Sequence, residues 1–363
     1  MTMAAPVSSP AKPLTARGPL SSALLHALRG EGTTAGIADI AERAVADAAD
    51  VLRDDDVQLA LFLLYASIYG SVPEFDPRVE WDPRLVEVRR LLEEPFESAL
   101  REVVSVPPLP EASQAAVASA LFAVTSEDGG PSLSRHLAKK ATREQALEFL
   151  IQRSIYTLRE ADPHSWAIPR LHGRAKAALV EIQADEYGGG RADRVHAEIF
   201  AKAMRGASLD DRYAGYVHAV PAVTLCSLNT MSLFGVNRRL LGAIVGHLAA
   251  FEMTSSIPNR LYGEGLRRLG FGDDVTDYFD EHVEADALHE QIAGRDLAGA
   301  LAEDQPELLP DIMFGAAACL TVDGMVAAHM LESWQRGESS LRSPEAAAGR
   351  PCRRRSPRTP TGR

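Results

Sequence analysis

Residues 280–290 read DEHVEADALHE, which sets His282, Asp286 and His289 at i, i+4 and i+7. Each residue of an α-helix turns about 100°, so the three side chains fall within an arc of roughly 60°, on one stripe. Three ligands of one metal site would stand in that way. Whether these residues are ligands depends on what the other helices supply.

The chain has 363 residues, 46% of them hydrophobic and 24% charged, an ordinary balance for a soluble globular protein of one large or two modest domains. A formal net charge of -12 argues against non-specific nucleic-acid binding. Cys226, Cys319 and Cys352 form neither a CxxC pair nor a disulfide framework, which fits a reducing compartment. The first twenty residues contain no apolar run of signal-peptide length, and no stretch offers the ~18–20 uninterrupted apolar residues of a membrane span. A cytoplasmic protein without membrane or nucleic-acid partners is the expectation.

Apolar residues recur at spacings of three and four nearly everywhere, and no convincing period-2 strand is found, so the expected fold is all-α. Helices are expected at about 37–53, 56–69, 82–104, 112–124, 143–161, 169–187, 191–205, 211–234, 237–256, 258–269, 273–294 and 306–336. Residues 1–19, rich in Pro, Ala and Ser, read as a disordered tail, and 339–363 as a disordered basic tail. Between them, 20–140 reads as a helical accessory region and 141–338 as the main bundle, with a break at TSEDGGPSLS (125–134). No repeat of 20–50 residues is present.

A carboxylate on a helix face that should be buried needs a partner or a metal. Glu252 sits among Ile244, Val245, Leu248, Ala249 and Phe251. An ion pair with Arg238 or Arg260 would satisfy it equally well. Glu186 and His196 lie ten steps apart, and on a continuous helix they would diverge by roughly 80°. Gly188–Gly190 between them can re-aim the two side chains, or simply form a helix–loop–helix turn. Glu160 closes a helix just before Asp162-Pro163, where solvent exposure is the plain alternative. His164 and His172 flank it as weaker ligand candidates. Together the set is three Glu, one Asp and three His. Seven ligands are too many for one metal and suit two, and an oxygen-rich set with imidazoles suits iron or manganese. The Glu-x-x-His pairs of a ferritin-type bundle are absent, Asp193-x-x-His196 and Asp286-x-x-His289 being near misses.

The stretches READPHSWAIPRLHGRAKAALVEIQADEYGGGRADRVHAEIFAKAM, FEMTSSIPNR and DEHVEADALHE resemble the heme-oxygenase-like diiron oxidases and oxygenases, also described as iron-containing redox enzymes. LLYASIYGSVPEFDPRVEWDPRLVEVRRLLE resembles the N-terminal half of that group, so the resemblance covers most of 55–336. It implies a heme-oxygenase-like helical bundle with ligands Glu186, His196, Glu252, His282, Asp286 and His289. A further ligand, Glu160, matches the branch that oxygenates amine nitrogens. It also implies two Fe(II) ions bridged by Glu186 or Glu252, O2 as co-substrate, an external electron donor, and a small-molecule substrate, an amine in that branch. N-oxygenation in natural-product biosynthesis is the leading expectation. Oxidative decarboxylation, desaturation and C–C cleavage are the alternatives.

Tyr156, Tyr187 and Tyr262 are candidate pocket residues, and Arg170 a candidate clamp for a substrate carboxylate. No Gly-x-Gly-x-x-Gly, P-loop or CxxC is present, so electrons must come from outside. Two further readings are a metal-free hydrolase using Cys226 and a helical binding protein whose apparent ligands are structural ion pairs. His26, near the tail, is a poor axial ligand for heme. A homodimer through the N-terminal helices is open.

Overall fold

Side-chain caps start many of the helices. Asp54 accepts from the amides of Asp56 and Val57, Ser113 from Ala116, and Thr142 and Gln145 form a reciprocal capping box. The structure, a computed structural model, describes residues 13–126 and 132–342, and the side chains of 284–288 also lie outside the description. The N-terminal helices are α1 (Pro19–Leu28), α2 (Ile37–Asp47), α3 (Asp55–Ile68), α4 (Pro83–Val103), α5 (Gln114–Thr125) and α6 (Leu133–Lys139). Then come α7 (Arg143–Thr157), α8 (Asp162–Ser165), α9 (Gly173–Glu186), α10 (His196–Gly206) and α11 (Ala222–Val236). The last are α12 (Leu241–Met253), α13 (Ser256–Arg268), α14 (Asp273–Gln291), α15 (Ala300–Asp304) and α16 (Leu309–Gln335), with a π-helical segment, Ile292–Gly299, joining α14 to α15. No strand occurs among the described residues. The fold is all-α, as the apolar periodicity predicts.

One hydrophobic cluster runs from Leu20 of α1 to Val322 of α16, and a second joins α7, α10, α13 and α14 around Phe149, Phe200, Tyr262 and Phe279. The closest helix approach is α12 on α16. A Cβ on Gly246 would collide with the Ile312 carbonyl, and one on Gly315 with the Ala243 carbonyl. The segment Pro306–Gln335 is long and apolar enough to cross a membrane, with a mean hydropathy of 1.5. Half of that window is buried inside the protein against neighbouring helices, as in any central core helix.

Several expected boundaries shift. The helix expected at 211–234 begins at Ala222, because Ala214 takes a left-handed φ of 62° and Pro221 opens the helix instead. The one expected at 191–205 begins at His196, after extended backbone at Arg191 and Val195. The short α6 lies in a stretch with no expected helix, started by the Ser132 cap. Expected disorder over 13–19 is replaced by order: Arg17 donates to Asp55 at 2.8 Å and to the Val217 and Val220 carbonyls. Arg342 reaches the other oxygen of Asp55 at 3.0 Å, so both ends of the described chain are tied to the start of α3.

Candidate metal centre

Glu160 lies not on a helix but in the turn after α7, three residues beyond its last residue Thr157. Pro163 prevents α7 from continuing. Tyr278 of α14 donates to Glu160 Oε2 at 2.8 Å and fixes that carboxylate's rotation. Glu186 is the last residue of α9. The next three glycines all adopt left-handed φ, 73°, 59° and 85°, which side-chain-bearing residues rarely adopt. A Cβ on Gly188 would also meet the Arg194 backbone at 2.7 Å. This tight reversal returns His196, the first residue of α10, to Glu186: Nδ1 stands 3.0 Å from Oε2. The triple glycine therefore re-aims the two side chains toward one point.

Glu252, near the end of α12, is buried at 4% exposure, and its neighbour is His289 at 3.4 Å. The arginine partner weighed from sequence is not found: Arg260 pairs with Glu264 instead. His282 and His289 point from one face of α14. His282 Nδ1 is 2.8 Å from the Tyr278 carbonyl, so that nitrogen donates and Nε2, 3.8 Å from Glu160, presents its lone pair inward. His289 Nε2 lies 3.1 Å from Asp185. The Asp286 side chain lies outside the described residues.

These side chains form two overlapping groups. In one, Glu160, Glu186, His196 and His282 bring ligand atoms within 4.8 Å of one another, and in the other Glu186, Glu252 and His289 do so. Glu186 belongs to both. All six are buried. Glu160 Oε1, Glu186 Oε2, His196 Nδ1 and His289 Nδ1 are sealed from solvent and complete no hydrogen bond. Such groups are costly unless something else satisfies them. Carboxylates and imidazoles converging in this way fit hard or borderline divalent cations, iron included, and a shared carboxylate fits a pair of them.

The electrostatics express the same frustration. Burial, and then Glu186, raise the Glu160 carboxyl to about 8. Burial alone would raise Glu186 too, but His196, His282 and His289 hold it below the ordinary carboxylate value. Burial raises Glu252. Burial opposes a charge on His196 and His289, yet their carboxylate neighbours outweigh it and lift both to about 9. Burial, with His196 beside it, lowers His282 to about 4.

A cleft of about 350 Å³ opens onto Glu160 and Glu186 and is lined by Arg159, Asp162, Tyr187, Glu198 and Asp211 among others. Tyr187 lines it, hydrogen-bonded to Asp162 at 2.8 Å. On the other side of the centre a small cavity is bounded by His164, Gln183, Phe251 and Glu252.

Other candidates are placed elsewhere. His164 is buried beside the centre and contacts His247 at 3.3 Å, while His172 is exposed at the start of α9. Asp193 is exposed and pairs with Arg191. Arg170 is no clamp: it donates to the Gly235 and Val236 carbonyls and caps α11. Burial pushes the Cys226 thiol up to about 12, which suits a core residue and not a nucleophile. Cys352 lies outside the described residues. His26 is exposed on α1, near Glu31. Sequence reasoning missed Tyr278, Asp185, Gln183 and His247. Only His247 left a trace, as a polar residue inside the apolar run of α12.

A sequence model of the family described as iron-containing redox enzymes matches residues 147–324. A nitrosourea synthase of Streptomyces achromogenes subsp. streptozoticus is 29% identical over 178 residues, covering 48% of this chain. The match spans 38% of that relative's length. Two crystal structures of a CADD-like protein of unknown function from Nostoc punctiforme align at 19% and 15% identity. Each covers 62% of this chain, and 99% and 97% of the other, with a TM-score of 0.48.

Proposed function

Since residues 147–324 make this chain a member of the iron-containing redox enzyme family, we propose that it is a non-heme diiron oxygenase that uses O2 to oxidise a small amine at nitrogen. The observation that carries the reading is the pair of ligand groups sharing Glu186, with four sealed donor atoms that lack a hydrogen bond. Glu160, Glu186, His196 and His282 would hold one Fe(II), and Glu186, Glu252 and His289 the other. Asp286 is proposed as a further ligand from its place in the helical stripe. Bound ferrous iron would supply the one-electron redox chemistry that O2 activation needs.

The protein's own groups do the rest. Tyr278 orients Glu160, and the Tyr278 carbonyl fixes the tautomer of His282. The cleft presents Glu198 beside Glu160 and Glu186, with Asp162 paired to Arg159 and Asp211 to Arg205, and this acidic lining suits a cationic amine. The amine must lose its proton before its nitrogen can be oxidised. Conversion to a hydroxylamine consumes one O2, two electrons and two protons and releases one water. The electrons come from an external reductant.

The similarity to a nitrosourea synthase supports nitrogen chemistry, over the part of that relative which the match spans. The test is anaerobic loading with Fe(II), measurement of iron per chain, then O2 and reductant with a panel of primary amines. Hydroxylamine or nitro products support the reading. Iron uptake with only decarboxylated, desaturated or cleaved products would retain the diiron centre and replace the N-oxygenation.

A further inference from the structure

Gln183 lies on α9 three residues before Glu186, one turn back on the same face. Only 3% of it is exposed. Both of its amide atoms, Oε1 and Nε2, are sealed from solvent, and neither completes a hydrogen bond. A buried amide without partners is costly, and leucine or methionine would fill that helix position without the cost. The side chain borders the small cavity on the α12 side of the metal centre, together with Leu248, Phe251 and Glu252.

The other polar groups on the cavity wall have partners or a task. Glu160, Glu186, Glu252 and His282 belong to the two ligand groups. His164 bonds the Glu160 backbone and meets His247 at 3.3 Å. Ser255 donates to the Glu252 carbonyl at 3.4 Å. Among the described residues of that wall, Gln183 alone offers a donor and an acceptor that nothing uses. Size narrows what could use them. The cavity leaves about 20 Å³ for a small molecule to occupy, against about 350 Å³ in the cleft on the other side of the centre. A water-sized molecule needs about 10–15 Å³ by that measure, so the cavity takes one such molecule, or a diatomic, and excludes an amine substrate.

We propose that this cavity receives a diatomic ligand of the metal pair, O2 in turnover, and that Gln183 is its hydrogen-bond partner. Substrate and O2 then meet the centre from different sides, the amine in the acidic cleft and O2 in the cavity walled by Leu248 and Phe251. The amide can serve throughout the reduction: Nε2 donates to a ligand that gathers negative charge, and Oε1 accepts from one that has taken up a proton. The proposal rests on the oxygenase reading for the identity of the ligand. Wild type that takes up no iron would overturn that reading and this proposal with it. Iron uptake with a bound diatomic that ignores Gln183 would overturn this proposal alone.

The probe is nitric oxide, a diatomic that binds ferrous iron, added to anaerobic Fe(II)-loaded protein. Its affinity is read from visible absorption and its environment from the N–O stretching band in infrared spectra. In wild type that band should shift between H2O and D2O, as for a ligand held by an exchangeable N–H. Gln183→Met keeps the length of the side chain and removes the amide. It should hold two irons per chain, bind nitric oxide about tenfold more weakly and lose the isotope shift. Its metal-free form should melt at the same or a higher temperature, because two unpaired polar atoms are gone. A Gln183 that only packs in the core would leave nitric oxide affinity and the isotope shift unchanged in the variant, and that result overturns the proposal at any melting temperature. A variant that binds more weakly but keeps the isotope shift also overturns it. If Gln183→Met fails to fold or to hold iron, Gln183→Leu takes its place with the same readings. Absence of an isotope shift in wild type overturns the proposal without any variant.

Discussion

His196 Nδ1 stands 3.0 Å from Glu186 Oε2, ten residues back along the chain, and neither atom completes a hydrogen bond. Two sealed polar atoms this close, in ion-pair contact but without hydrogen-bond geometry, converge on one point as two ligands of one metal would. The three left-handed glycines between them allow the tight reversal that sets this distance.

Tyr278 touches Glu160 but not the shared carboxylate. Tyr278→Phe keeps the ring in its contacts with Phe200 and Phe279 and removes only the hydroxyl. Metal affinity at the Glu160 side should fall about 10–100-fold, with the melting temperature of the metal-free protein little changed. Competitive titration against a chelator of known affinity measures it.

Metal binding must displace protons. Glu160, raised to about 8, and His196 and His289, raised to about 9, carry them at neutral pH in the metal-free protein. Affinity for a divalent ion should therefore rise steadily from pH 7 to pH 9. Calorimetry at pH 7 in buffers of different ionisation enthalpy should report net proton release. Proton-neutral binding would contradict the assigned charge states.

Two buried histidines should also leave a mark on the acid limb of the metal-free protein's stability. Burial lowers His164, and burial with His196 lowers His282, each to about 4 from an ordinary 6.5. Between those values the unfolded chain binds protons that the fold refuses, so these two groups withdraw stability as pH drops from 6.5 toward 4 and contribute no slope above 6.5, whereas Glu160, raised to about 8 in the fold, adds stability as pH drops from 8 toward 4.5 and offsets part of that loss. Each histidine shift corresponds to an upper bound on the order of 3 kcal/mol. His164→Gln should flatten part of that slope in urea titrations at stepped pH.

Much of this was legible in the sequence, and the reason is physical. A helix face repeats every three to four residues, so His282 and His289 announce themselves by spacing alone. Glu252 stands out because its neighbours are apolar. The rest depends on contacts between helices. Nothing in the chain near Tyr278 says that it will reach Glu160, 118 residues away. The Arg170 clamp failed for the same reason, since the carbonyls it caps lie 65 and 66 residues further on. The helix starts misplaced at 191 and 211 were lost to local backbone that only tertiary packing enforces.

Glu252 depends on the seam between α12 and α16. Gly246 faces the Ile312 carbonyl with no room for a side chain. Gly246→Val should destabilise the fold by about 3 kcal/mol, at the upper end of overpacking costs. Loss of the Glu252–His289 group should follow, seen as weakened binding of one metal in denaturation and metal-titration experiments.

Iron stoichiometry under anaerobic Fe(II) loading, measured on wild type and three single variants, tests the shared-carboxylate centre most directly. Wild type should retain about two irons per chain, His282→Ala and His289→Ala about one each, and Glu186→Ala neither at stoichiometric occupancy. One iron or none in wild type, or a Glu186→Ala variant that still holds two, would contradict a pair of metal sites built around Glu186.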